Sequence, residues 1–345
     1  LSDAESTVDW IQPTATGFNP YNIAWNATYI YIAIRRGPMK TPESGMEVFA
    51  PVAYAGNAVS GRVITGFGFP VDMTLTKARQ RSTNWFATDR LRGGSATTMS
   101  ILIPNDTSAE TLLETDRLLA IDYMDGVKIG ADNDVNASTS NLYEILGFRR
   151  APGFFDVVCG RWFAGNLNHN LGVAPELVIG KVRNNTNFWY TWVQGFANNE
   201  YLYLDSAAAK DNFYTNLWTT MTSTQIGLVN FSGTDNAVYY IFASCPGVSK
   251  VGSYTGTATT LQINCGFSAG ARFVLIKRID STGDWYVWDS ARGMVSGTDP
   301  RLALNSTLAE TNQNWVYTTT GGFEVVTANV GVNASGGSYI YLAIA

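Results

Sequence analysis

The chain has 345 residues, of which 46% are hydrophobic and only 15% charged, with a formal net charge of −5 and a pI of about 5.0. That balance argues against a nucleic-acid binder, which would carry a basic stripe. No run of eighteen apolar residues is present, so no membrane insertion is expected. Glycine (33 residues) and aromatics (13%) are abundant, a mixture that favours β-strands joined by turns.

From the N-terminus, the first readable element is "ATYIYIAIRRGP", beginning at Ala27, which repeats the last nine residues, "GSYIYLAIA". Residues 1–37 therefore read as the C-terminal part of a module. Its front strands are expected from upstream chain, from a neighbouring subunit or from an unusual closure. Residue 1 is Leu and no signal peptide is seen, so a natural start is expected to be missing. Three whole modules are expected to follow, at residues 38–151, 152–246 and 247–345, with Pro38, Pro152 and Pro246 as boundaries.

Each module repeats the same landmarks in the same order. A strand with a basic end carries Lys77, Lys181 or Lys277, and a tryptophan follows eight positions later, at Trp85, Trp189 or Trp285. Asn105, Asp205 and Asn305 stand one hundred residues apart, and Asn305 is expected to cap one helical turn in "NSTLAE". Leu119, Trp218 and Trp315 each lie seven residues before a turn into a strand, as Trp10 does earlier. A closing strand carries Tyr143, Tyr239 or Tyr341, which align with each other and with Tyr31. In the last module "KVGSYTG", "TLQINCG", "RFVLIKRI", "DWYVWDS", "RLALN", "GFEVVTA" and "YIYLAIA" read as seven short strands. The expected fold is all-β, with tandem β-sandwich (jelly-roll or concanavalin-like) modules of about one hundred residues. The alternative is a seven-bladed β-propeller built from half-modules.

The candidate chemistry is sparse. Asp89 and Arg92 recur as Asp289 and Arg292, so a carboxylate and a guanidinium could serve a ligand, the plainer reading being a structural pair. Trp85, Trp189 and Trp285 read as core, while Trp192 and Trp288, three residues further on, are the candidates for an exposed stacking platform. His169, the only histidine, reads as structural. Asp132 and Asp134 in "GADNDVN" read as a polar turn rather than a calcium loop. Asp72, Asp89, Glu110 and Asp156 are acids that a glycosidase could use, but no spacing unites two of them. Cys159, Cys245 and Cys265 form no metal-binding pair and read as reduced thiols. No catalytic residue, metal or cofactor is expected.

"TYIYIAIRRGPMKTPESG", "RRAPGFFDVV", "NHNLGVAPELVIGKVR", "GVSKVGSYTGT", "GFSAGARFVLIKRIDSTGDWYVWD" and "VNASGGSYIYLAIA" resemble a repeat domain of bacteriophage tail-fibre-like structural proteins, particularly of marine phages. The resemblance covers nearly the whole chain. It implies a non-enzymatic virion protein of the tail-fibre class, assembled in the bacterial cytoplasm and located in the phage tail or fibre. Its expected partners are other virion proteins, further copies of itself (a trimer by analogy with fibres) and a host-surface glycan or protein. A tail-associated polysaccharide depolymerase and a purely architectural capsid or tail decoration are the alternatives. The repeat is broken in module 2, where "FANNEYLYLD" replaces the "DRLRG" and "DSARG" of its neighbours.

Overall fold

The computed structural model describes residues 11–13, 18–20, 28, 30–32, 40–93, 98–138, 141–214 and 217–345. The fold is nearly all β, in several antiparallel sheets, and among the described residues neither a barrel nor a propeller closes. In module 1 the main sheet runs Phe49–Ala55, Leu142–Phe148, Met73–Ala78, Phe86–Asp89. A smaller sheet of Arg62–Ile64, Gly126–Ile129 and Leu118–Tyr123 accompanies it. Module 3 repeats this with a main sheet ordered Ser249–Thr255, Ser338–Ile344, Phe273–Arg278, Trp285–Asp289, and a smaller one of Leu261–Asn264, Gly322–Val325 and Val316–Thr319. Module 2 fuses the two layers. Its strands Phe155–Asn168 and Gln225–Phe242 are long enough to run through both, paired almost throughout.

The closing strand is last in sequence but central in its sheet, bonded on both sides. That position explains its unbroken apolar run, because both faces of the main sheet are covered. Phe273, Leu275, Trp285, Val287 and Leu342 point to one core, while Val274, Ile276, Trp288, Tyr341 and Ala343 point to another. The second core belongs to module 3 alone. The first is shared by all three modules, and Leu75, Ile179 and Leu275, at equivalent register positions, line a small apolar cavity of about 30 Å³ within it.

Pro152 and Pro246 sit in tight reversals between modules. Gly153 and Gly247 follow them at φ 77° and 74°, and Phe154 and Val248 donate back to Ala151 and Cys245. Proline fixes the first central residue of such a turn and glycine supplies the left-handed second. No covalent link joins module 3 back to module 1, yet the chain closes there. A Cβ on Gly45 would come within 1.9 Å of the Ala345 carbonyl oxygen, so only glycine fits at this joint.

All seven strands read from the module 3 sequence are present, and Thr311–Gln313 and Val316–Thr319 are added to them. Three expectations are corrected. Asn305 caps no helix; its side-chain oxygen accepts from the Trp285 amide at 2.9 Å. Tyr143 is two residues out of step with Tyr239 and Tyr341, since Tyr143 lies opposite Ala78 but Tyr239 and Tyr341 lie opposite Gly180 and Ile276. A slip of two preserves the face, which is why the pattern hid it. Ile30, Tyr31 and Ile32, read as part of a closing strand, lie in no strand and are largely exposed. The remainder of the expected partial module at 1–37, with Trp10 and the boundary Pro38, lies outside the described residues, apart from a hairpin of Ile11–Pro13 with Phe18–Pro20.

Candidate functional site

The repeated polar residues meet at three seams that join the modules in a closed ring. Lys77 lies on a strand of module 1 and donates to the Thr307 carbonyl of module 3 at 3.0 Å. Lys181 of module 2 does the same to Thr107 of module 1 at 2.9 Å, and Lys277 of module 3 to Ala207 of module 2 at 3.0 Å. The tryptophans follow the same cycle. Their indole N–H groups reach carbonyls of Ala303, Ile103 and Tyr203 at 2.8, 3.0 and 2.8 Å for Trp85, Trp189 and Trp285. Asn105, Asp205 and Asn305 each accept the backbone N–H of the tryptophan in their own module. The landmark read as a strand with a basic end is therefore a clasp between modules.

All three lysines are buried, and burial lowers each to a pKa of about 8. Their folded values lie below the ordinary 10.5, so the unfolded chain holds protons that the folded chain has released between pH 8 and 10.5. Stability contributed by these sites is lowest below pH 8 and rises through that window. Urea denaturation from pH 7.5 to 9.5 is expected to show this rise, and Lys277→Met is expected to flatten it by about a third, one site of three.

The candidate ligand pairs lie in the seams too. Asp89 accepts the N–H groups of Leu91 and Arg92, opening a short 3-10 turn. The Arg92 fork binds Asp89, the Ala87 carbonyl at 2.7 Å and Glu110 at 2.7 Å. Glu110 in turn holds Arg183 of module 2 at 2.8 Å, and the Tyr240 hydroxyl donates to Asp89 at 2.7 Å. Burial alone would raise the Asp89 carboxyl, but Arg92 beside it and the Tyr240 hydroxyl bring it below its ordinary range. The seam from module 3 to module 1 repeats the cage, with Asp289, Arg292 and Glu310 holding Arg79 at 2.9 Å. Between modules 2 and 3 every member changes together. Val193, Phe196, Lys210 and Ile279 stand at the positions of Asp89, Arg92, Glu110 and Arg183, and the Lys210 ammonium lies 5.0 Å from the Phe196 ring centre.

Asp89, Arg92, Asp289 and Arg292 are thus buried, which corrects the expectation that they could meet a ligand. Trp192 and Trp288 are buried as well, at 9% and 0% exposure, and form no surface platform. Trp288 faces away from Trp285 into the second core of module 3, while Trp192 joins the same core cluster as Trp189, in keeping with the fused layers of module 2. His169 donates from Nε2 to Thr222 at 3.1 Å and accepts the Leu171 N–H at Nδ1, with burial lowering its pKa. Asp132 caps one helical turn, and Arg117 lies 3.4 Å from it and 3.9 Å from Asp134, where a cation would have to sit. Among the described residues no three acidic, His or Cys side chains converge as a metal site. The acids Asp72, Glu110 and Asp156 are engaged by Arg90, Arg92 and Arg150.

Residues 44–144 and 153–345 match the family described as a domain of unknown function, DUF7483. The chain belongs to that family. The first DUF7483 stretch coincides with module 1 and the second with modules 2 and 3, the break falling at the Pro152 reversal. No curated protein matches the chain.

Sequence reading missed Glu144, Tyr240, Arg79 and Arg183 as seam residues. Arg79 and Arg183 lie two residues after their lysines, and Ile279 breaks the series in the same module pair that loses the aspartate. That joint substitution was the available signal. Glu144 had none, since Val238 and Ile340 occupy its register position elsewhere.

Proposed function

We propose that this DUF7483 chain is a structural component of a phage particle, of the tail-fibre class, acting through assembly and host-surface contact rather than catalysis. The carrying observation is where its repeated polar residues go. Lysines, tryptophans, aspartates and arginines that recur from module to module are spent on seams, which make one rigid body of three modules. The acids available for glycoside cleavage are buried against arginines, in keeping with a scaffold. The sequence resemblance supplies the particle. Mass spectrometry and labelled-antibody imaging of purified particles test the reading: the chain is expected in stoichiometric amounts at the tail. Absence from the particles overturns it, as does release of reducing ends from host polysaccharide by the purified chain.

A further inference from the structure

Module 2 carries an aromatic cluster that its sister modules lack, buried at its centre, where Tyr201 and Tyr190 join the core, and open at its ends. Phe188, Tyr203, Tyr201, Tyr214 and Phe213 form a continuous run, with successive centroids 4.5, 5.3, 5.7 and 5.2 Å apart, and Tyr190 packs behind it at 5.5 Å from Tyr203. The two ends are open, Phe188 at 44% and Phe213 at 79% exposure. At the positions of Phe188, Tyr201 and Tyr203, module 1 has Asn84, Ile101 and Ile103, and module 3 has Asp284, Arg301 and Ala303. The same strands fold there without these aromatics; core packing accounts for Tyr190 and Tyr201, but not for the open rings Phe188 and Phe213. Phenol hydroxyls are a costly filling for a core, because each buried one needs a partner.

The geometry points to a binding site for a neutral oligosaccharide along this run. A pyranose presents C–H groups on one face and hydroxyls around its edge. The open rings of Phe188 and Phe213 and the half-buried ring of Tyr203 suit the first, and the Tyr203 phenol with the Asn187 amide suits the second, while Tyr201 is buried beneath them and accepts the Tyr203 hydroxyl at 3.5 Å. The steps between rings are of the order of one sugar unit. Neighbouring charges are already engaged: Glu200 with Lys210 at 2.6 Å, and Asp211 with the N–H groups of Asn212 and Phe213. That favours an uncharged glycan over a uronic acid or a sulfated one. A second copy of the chain is the competing occupant of such a surface.

The site deepens the host-contact part of the reading above, yet its test needs no particle. The purified chain is titrated by calorimetry with hexasaccharides of α-glucan, β-glucan, galactan and mannan, and with a sulfated and a uronic hexasaccharide. At least one neutral probe is expected to bind, with Phe188→Ala and Phe213→Ala each weakening it about tenfold at unchanged unfolding temperature. Tyr203→Phe separates lost stacking from a lost hydroxyl, and is expected to weaken binding less than Phe188→Ala. The site is overturned by failure of every neutral probe, by preference for a charged probe, by binding that Phe188→Ala and Phe213→Ala leave intact, or by sedimentation showing a dimer that Phe213→Ala dissolves. Loss of this site with the chain still found on particles leaves the structural role standing.

Discussion

Arg92→Ala is expected to cost about 3–5 kcal/mol in urea denaturation, enough to separate the first two modules before the rest unfolds. The substitution leaves Asp89 buried with its main counter-charge gone, and leaves Glu110 to Arg183 alone. Removing one member of a buried ionic set costs more than the set contributes, because the remaining charges stay desolvated. The seam between modules 2 and 3 shows the other solution. There Val193, Phe196, Lys210 and Ile279 fill the same places, and Leu342 stands where Tyr240 stands. Moving that set into the first seam together with the Lys210 partner Glu200, as D89V/R92F/S100E/E110K/R183I/Y240L, is expected to recover most of the loss, to within about 2 kcal/mol of the parent. A single substitution costing less than about 1 kcal/mol would show that the cage is not what holds the seam.

Glu144→Val is expected to act in the opposite direction, raising stability at pH 7 by roughly 1–4 kcal/mol. Glu144 is completely buried, and among the described residues neither of its side-chain oxygens has a hydrogen-bond partner. Burial and the nearby Asp289, with Glu310 adding to them, push its carboxyl well above the ordinary carboxylate range, against the pull of Arg292 and Arg79. Lys77, opposite it on the next strand, spends its ammonium on carbonyls of its own turn and of Thr307. The sign follows from linkage. A carboxyl whose folded value is raised penalises the fold as pH climbs above its unfolded value near 4.5, and the penalty disappears in acid. The gap between Glu144→Val and the parent should therefore be small at pH 4 and widen toward pH 7. Val238 at the equivalent position of module 2 shows that the strand accepts the replacement. An equal gap at both pH values would mean that packing alone, not the charge, sets the difference.

Much of the fold was legible because β-structure writes itself locally. Alternation and turn residues gave every strand of module 3 that was sought, and the lysine-to-tryptophan spacing marked equivalent places in all three modules. Chemistry was less legible, because function was assigned to residues whose burial the sequence does not state. Trp192 and Trp288 do lie on the opposite face from Trp189 and Trp285, but in a sheet covered on both sides neither face is open. Asp89 and Arg92 looked like a local surface pair. Their meaning lies in Glu110, Arg183 and Tyr240, the last of which is 151 residues distant in sequence from Asp89. The aromatic run of module 2 was hidden for a related reason. Phe188 precedes the strand Trp189–Val193, Tyr203 lies on Leu202–Tyr203 and Phe213 in a loop, so no periodic pattern in the sequence announces the cluster.

The joint at Gly45 and Ala345 makes the numbering of the modules arbitrary. Two connections are peptide links and the third is contact alone, yet the lysine and tryptophan clasps are the same at all three. The body has the arrangement of three like modules about one shared core, and the linker order is incidental to that arrangement. A circular permutant running from Gly153 through a bridge between residues 345 and 44 to Ala151 would keep every lysine and tryptophan clasp while moving the chain ends to the joint between modules 1 and 2.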